Sequence, residues 1–129
     1  MTDSIAQMLA SDAYASHLGI RLESEDPVTV VMDIDKRHLN FLDGTHGGAV
    51  FSLADCALSL ASNRAGTALA IDAHLVLTGA SRVGDTLRAV ADEVTRGRTL
   101  GSYRITVTRG DGKIVGLFTG TVHVVGEGG

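Results

Sequence analysis

The chain has 129 residues, of which 44% are apolar and 20% are charged, and its formal net charge is −4. This length fits one domain with an apolar core. The acidic balance argues against a protein that binds a phosphate backbone, and an aromatic content of 4% leaves few platforms on which bases could stack. A small anionic ligand is not excluded, because it needs only a local basic patch.

The composition also limits redox chemistry and location. Cys56 is the only cysteine, which excludes a disulfide framework and a metal site built from several cysteines. No apolar run reaches the length of a membrane span. The segment Met1–Leu9 carries Asp3 and no lysine or arginine, unlike a signal peptide. We therefore expect a cytoplasmic protein that binds neither nucleic acid nor a membrane.

The beginning of the chain predicts one helix and two strands. Capping residues precede a pattern typical of a short amphipathic helix over residues 4–17, and Gly19 ends it. Alternating apolar and polar residues predict a strand at Ile20–Leu22. A second strand is predicted after Pro27, with apolar side chains on one face.

A long apolar helix follows over residues 47–63, before a stop signal at Gly66. It is apolar on nearly all sides, which is typical of a buried helix. Strands are then predicted at about 68–77, 86–96, 99–108 and 113–125, and the tail at 126–129 is expected to fray. An antiparallel sheet curled around the helix would bury it. The predicted fold class is therefore α+β, in a single domain over residues 1–129.

Two features of the central helix suggest chemistry. Asp55 is the one carboxylate in a run almost free of charge, and burying such a group is costly unless it is used or satisfied. Gly47 and Gly48 stand at the helix start, where bare backbone N–H groups favour negative charge. Together these residues predict a site that polarises a carbonyl group and activates a nucleophile beside it.

Short motifs between residues 15 and 125 carry a family resemblance. They are His38-Leu39-Asn40, Thr45-His46-Gly47-Gly48, Leu53-Ala54-Asp55, Ala61-Ser62-Asn63, Val83-Gly84-Asp85, Gly97-Arg98 and Leu117-Phe118-Thr119-Gly120-Thr121-Val122. With this order of elements, the chain resembles the hotdog-fold acyl-CoA thioesterases and most closely their PaaI-like group. The resemblance implies a curved antiparallel sheet around a long central helix and hydrolysis of a small acyl-CoA, with aryl-acetyl esters among the substrates. It implies no metal or redox cofactor, since coenzyme A is part of the substrate and product.

Thioester hydrolysis needs a donor aimed at the carbonyl oxygen and a base or nucleophile near the carbonyl carbon. The N–H of Gly47 suits the first role. Asp55 suits the second, either through a mixed anhydride or as a general base for water. The resemblance implies that Asn40 joins Gly47 in holding the thioester carbonyl.

Three further residues are candidates for substrate binding: His46, Gly48 and Ser59. His46 either orients the substrate or satisfies backbone groups at the helix start. Gly48 belongs to the same glycine pair as Gly47. Ser59 lies one helical turn after Asp55, where it either holds the attacking water or bonds back into its own helix.

The spacing of Gly47 and Asp55 leads to a prediction about assembly. Eight residues correspond to about 12 Å along one helix, too far for both groups to touch one carbonyl. If both act on one thioester, Asp55 must come from a second copy of the chain, and a two-fold dimer would contain two identical sites. The resemblance also implies shared sites in a dimer, commonly within a tetramer.

Two other functions fit the same fold. A hydratase or dehydratase of acyl thioesters would need a catalytic histidine, so His46 would have to face the acyl chain. A non-catalytic acyl-CoA binding module would keep the pocket but would not need Asp55.

Overall fold

Six antiparallel strands form one sheet around a long helix in the computed structural model, which describes residues 4–127. The helices are α1 (Ile5–Ala10), α2 (Ala13–Leu18) and α3 (Gly47–Ser62), with a short 3-10 helix at Lys36–His38. The strands are β1 (Arg21–Glu25), β2 (Val28–Asp33), β3 (Gly66–Leu77), β4 (Thr86–Arg96), β5 (Leu100–Thr108) and β6 (Ile114–Glu127). Their order in the sheet is β1-β2-β4-β5-β6-β3. The predicted α+β class, with a curved sheet around a central helix, is confirmed.

Helix α3 forms the centre of the core. Leu53 and Leu58 are fully buried, as are the side chains of Leu87, Ile105 and Phe118 on the strands. The helix begins at the predicted residue and ends at Ser62, where Asn63 forms its C-cap. The end is well defined because the Asn63 side chain exchanges hydrogen bonds of 3.0 and 3.1 Å with the backbone of Ala68 in β3. None of the helices in the described range is long and apolar enough to cross a membrane.

Glycines in β6 let α3 approach the sheet closely. A Cβ atom added at Gly120 would lie 2.7 Å from Cδ2 of Leu58, and one added at Gly116 would lie 3.2 Å from Cγ1 of Val50. The absence of a side chain at these two positions therefore allows the close packing of α3 on the sheet.

The N-terminal helix and the tail differ from the predictions. The helix predicted over 4–17 is wrong as a single element: α1 ends at Ala10, and Asp12 takes an extended conformation before α2. The chain breaks there because the Asp12 side chain caps a new helix by accepting the N–H of Ala15 at 3.0 Å. The frayed tail was predicted to begin too early, because residues 126–127 pair with the start of β3. The remaining tail positions, 128–129, lie outside the described residues.

One edge of the sheet is long and apolar. Within residues 4–127, strand β3 pairs only with β6, which leaves the other side of the strand unpaired. Leu69, Ile71, Val76 and Leu77 on this strand are each 46–60% exposed. Proteins usually cover such an edge, because its free N–H and C=O groups can pair with another strand.

The contact between Gly120 and Leu58 predicts the cost of filling this space. Gly120→Ala should lower the free energy of unfolding by about 1–3 kcal/mol, because Leu58 is fully buried and cannot move away freely. The measurement is urea unfolding followed by circular dichroism. Gly110→Ala is the matched control, since a Cβ there would meet nothing within 4 Å. Equal stability of the two variants would contradict the close packing.

Candidate active site

The loop before α3 holds Asn40 in a defined orientation. The side-chain oxygen of Asn40 accepts the N–H groups of Leu42 at 2.9 Å and Gly44 at 3.2 Å. The backbone N–H of Asn40 also donates to the carbonyl of Gly44 at 2.9 Å. These bonds use the amide oxygen. The Nδ2 group has no hydrogen-bond partner among residues 4–127, so it is a donor available to a ligand.

His46 caps the start of α3. Its Nδ1 atom accepts the N–H of Gly48 at 2.8 Å, and its backbone N–H donates to the carbonyl of His38 at 2.7 Å. The ring therefore satisfies a backbone group of its own helix, which is one of the two roles considered for it. Since Nδ1 accepts this bond, the neutral ring carries its proton on Nε2.

The two glycines at the helix start differ in what they can donate. The N–H of Gly48 is occupied by His46, whereas the N–H of Gly47 finds no acceptor in the described part of the chain. A Cβ at Gly47 would lie 2.9 Å from Cδ1 of Leu77, so this turn packs against the exposed end of edge strand β3. The free donor at Gly47 lies at the positive end of the α3 dipole, where developing negative charge is stabilised.

Asp55 lines a cavity of about 300 Å³ between α2 and α3. The half-buried carboxylate accepts no hydrogen bond from any described residue, and burial raises the pKa of Asp55 above its ordinary value. The negative charge of Asp12 in the same cavity adds to this rise in pKa. Burial also raises the pKa of the adjacent Cys56 thiol to about 12, which keeps the thiol neutral and unreactive.

Ser59 lines the same cavity as Asp55. Its hydroxyl group makes no hydrogen bond within residues 4–127, so the expected bond back into the helix is not formed. Ser52 makes a bond of this kind instead, donating to the carbonyl of Gly48 at 2.8 Å. The structure therefore brings Ser59 and Asp55 together with a free hydroxyl group one turn from the carboxylate.

Two cavity residues were missed by the sequence reasoning. Asp12 and Tyr14 line the Asp55 cavity from α2. Their position depends on the break between α1 and α2, which the single predicted helix concealed. The signal was present in the sequence, because an aspartate three residues before Ala15 is a typical N-cap.

One chain does not bring all the predicted residues together. Gly47 and Asn40 lie in the turn and loop at the N-terminal end of α3, and neither lines the cavity that contains Asp55. Gly47 and Asp55 are indeed on one continuous helix, which places their backbones about 12 Å apart. A single copy therefore separates the donor side of the predicted site from the acidic side.

Comparison with known proteins identifies the family. A model of the thioesterase superfamily matches residues 44–115. The chain belongs to the thioesterase superfamily, and its curved sheet around α3 is the hotdog fold. Within that superfamily it is a PaaI-like thioester hydrolase.

Two curated proteins illustrate this similarity. The acyl-coenzyme A thioesterase PaaI of Escherichia coli is 36% identical over 122 residues, covering 92% of this chain and 87% of PaaI. A putative esterase of Deinococcus radiodurans is 41% identical over 113 residues, covering 85% of this chain and 77% of that protein.

Solved structures show the same relationship. The structure of E. coli PaaI, from the phenylacetic acid degradation operon, matches with a TM-score of 0.89 and 35% identity over 94% of this chain and 90% of that chain. A Streptococcus mutans protein bound to acetyl CoA matches with a TM-score of 0.75 and 29% identity, over 78% of this chain and 82% of that chain.

The half-buried charge of Asp55 is electrostatically unfavourable, so removing it should increase the stability of the fold. Because its pKa is raised in the folded state, the wild-type protein loses stability as the pH rises through that pKa. Asp55→Asn should therefore have a higher free energy of unfolding at pH 7, and the difference should vanish below about pH 3.9, where the carboxyl is protonated in both states. Urea unfolding at fixed protein concentration over this pH range measures the effect.

The control for this prediction is Asp92→Asn, which removes an exposed carboxylate that pairs with Arg104 at 2.8 Å. It should give no gain in stability at pH 7. A lower stability of Asp55→Asn at pH 7 would contradict the prediction, because it would mean that the folded protein satisfies the Asp55 carboxylate.

Proposed function

We propose that the protein hydrolyses the thioester of a small acyl-CoA, of the aryl-acetyl type, to the free acid and coenzyme A. The observation that carries this proposal is that α3 holds both a free N–H at its start and a half-buried carboxylate, neither with a hydrogen-bond partner among residues 4–127. The activity of E. coli PaaI supports the acyl-CoA class, and its origin in a phenylacetic acid degradation operon supports the aryl-acetyl group. An acyl-CoA substrate also agrees with the expected cytoplasmic location.

The donor side of the site polarises the thioester. The N–H of Gly47 and the Nδ2 group of Asn40 donate to the carbonyl oxygen, which becomes an oxyanion as the carbon is attacked. The positive end of the α3 dipole stabilises the same charge. Removing one such donor costs roughly 3 kcal/mol of transition-state stabilisation in comparable sites.

The acidic side of the site attacks the carbonyl carbon. As a nucleophile, Asp55 forms a mixed anhydride and expels the coenzyme A thiolate, and water then hydrolyses the anhydride. As a general base, Asp55 takes a proton from water while the water oxygen attacks the carbon and the C–S bond breaks. The raised pKa of Asp55 makes it a stronger base than an ordinary aspartate in either route. Ser59, one turn away in the same cavity, holds the water.

His46 and Gly48 shape the start of α3 and take no part in the bond-breaking steps. His46 orients the first turn of α3, and Gly48 lets the His46 ring pack against the helix start: a Cβ at Gly48 would lie 3.0 Å from Nδ1. The reaction as proposed uses no metal and no redox cofactor.

The proposed site is shared between two chains. A two-fold axis that places Gly47 of one copy against Asp55 of another runs the two α3 helices antiparallel, with the midpoint near Phe51. The exposed apolar edge of β3 supports association, since it packs beside Gly47 and has no partner strand on that side among the described residues. The assembly is then a dimer, or a tetramer made of two such dimers.

The hydratase alternative is less well supported. It requires His46 to act on the acyl chain as a base, whereas Nδ1, the unprotonated ring nitrogen, is occupied by the N–H of Gly48. A thiol assay separates the two reactions, because only hydrolysis releases free coenzyme A.

The direct test is release of thiol from a panel of aromatic and aliphatic acyl-CoAs. Asp55→Asn should reduce kcat by about 100-fold or more, because it keeps the shape of the side chain but removes the base. Cys56→Ala is the matched control from the same cavity and should keep near-native turnover. Near-native turnover of Asp55→Asn would refute the catalytic assignment and favour a binding module.

The shared site predicts complementation between two inactive variants. Asn40→Asp keeps the oxygen that fixes the loop but removes the Nδ2 donor, and Asp55→Asn removes the base. A mixed dimer of the two variants contains one intact site, so it should recover about half of the wild-type activity. The measurement is turnover of hybrids purified with two different affinity tags.

Each variant mixed with itself is the control for this experiment and should stay inactive. Purified hybrids without recovered activity would contradict a site made from two chains.

A further inference from the structure

A second carboxylate faces the Asp55 cavity from α2. Asp12 and Asp55 both line this cavity of about 300 Å³, together with Tyr14, Ile20 and Cys56. No lysine, arginine or histidine of the described residues lines it. Asp12 is exposed to solvent and Asp55 is half-buried, so two carboxylates face one open, partly apolar cavity with no cation in its described lining. The charge of one carboxylate therefore disfavours the charge of the other.

Two hydrogen bonds in the first turn of α2 fix the position of Asp12. Its Oδ1 atom accepts the N–H of Ala15 at 3.0 Å as the N-cap of the helix. Two residues later, the hydroxyl of Tyr14 donates to Oγ of Ser52 at 3.0 Å, and Ser52 in turn donates to the carbonyl of Gly48. These bonds tie α2 to α3 and hold the Asp12 carboxylate at the cavity.

We propose that Asp12 is an electrostatic positioning residue for the thioesterase reaction. Its negative charge favours the step in which the Asp55 carboxylate is neutralised. This role rests on the proposed function of Asp55. In the general-base route Asp55 is neutralised by a proton, and in the nucleophilic route it is neutralised by its new bond to the acyl carbon. Either way the repulsion between Asp12 and Asp55 is relieved in the transition state, which lowers the barrier.

The other titratable groups around Asp55 do not replace this effect. Helix α2 contributes Tyr14 besides Asp12, and α3 contributes the Cys56 thiol, which stays neutral because its pKa is about 12. The remaining lining outside α2 and α3 comes from Ile20, ahead of β1, and strands β2 to β6 contribute no charged side chain to the described lining. Burial is the larger cause of the raised pKa of Asp55, and the charge of Asp12 is the second cause.

The test uses Asp12→Asn and Asp12→Ser, which remove the charge but keep a residue type that caps helices well. Activity rises with pH as Asp55 ionises. Removing the Asp12 charge should therefore move the acid limb of kcat/KM to lower pH in both variants. The plateau kcat should fall about two- to tenfold because Asp55 becomes a weaker base, while KM should stay unchanged. The urea midpoint at pH 7 should not fall, because the repulsion between Asp12 and Asp55 is removed.

The matched control is Asp92→Asn, which removes one negative charge from an exposed side chain outside the cavity. It should leave the acid limb in place. An acid limb that coincides with the wild type in both Asp12 variants, or an equal shift in Asp92→Asn, would overturn the inference.

A second measurement does not depend on turnover. Carbon-13 NMR of labelled carboxyl groups identifies the Asp55 resonance by its absence in Asp55→Asn, and Asp12→Asn should lower the pH at which this resonance titrates. An unchanged titration overturns the role of Asp12 whatever the activity. Absence of thiol release from the wild-type protein would instead refute the proposed function.

Discussion

The packing of α3 against the sheet is the constraint on which the rest of the structure depends. The helix is held so closely that Gly120 leaves no room for a methyl group beside Leu58. Its position along its own axis is fixed by His46 at the start and by Asn63 at the end. This rigidity matters because α3 carries both a free backbone donor and the only carboxylate in the helix. The two groups therefore keep a constant separation.

That separation would divide the proposed site into two halves within one chain. Gly47 lies beside the exposed end of β3, whereas Asp55 opens into the cavity under α2. Neither half has a partner within the described chain: the N–H has no acceptor and the carboxylate has no donor. If a second copy faces the first with the two α3 helices antiparallel, the N–H of each copy and the carboxylate of the other would act on the same substrate. The apolar edge of β3 provides a surface for that contact.

The sequence predicted α3 and the last four strands well, since their patterns are long and strongly apolar. It also singled out Asp55 and Gly47, because a lone carboxylate and a glycine pair contrast with their apolar surroundings. It failed where short elements are decided by one side-chain bond, as at Asp12, which divides the predicted N-terminal helix in two. The bond that occupies the N–H of Gly48 was not predictable, because it depends on the direction of the His46 ring.

The glycine contacts of β6 also affect how this protein can change over evolutionary time. In the proposed reaction, the close packing of α3 on the sheet at Gly120 leaves the acyl group the other flank of the helix, beside α2. The segments that would select the acyl group are thus separate from those that hold the molecule together. New substrate preferences can therefore arise in this scaffold with little loss of folding stability.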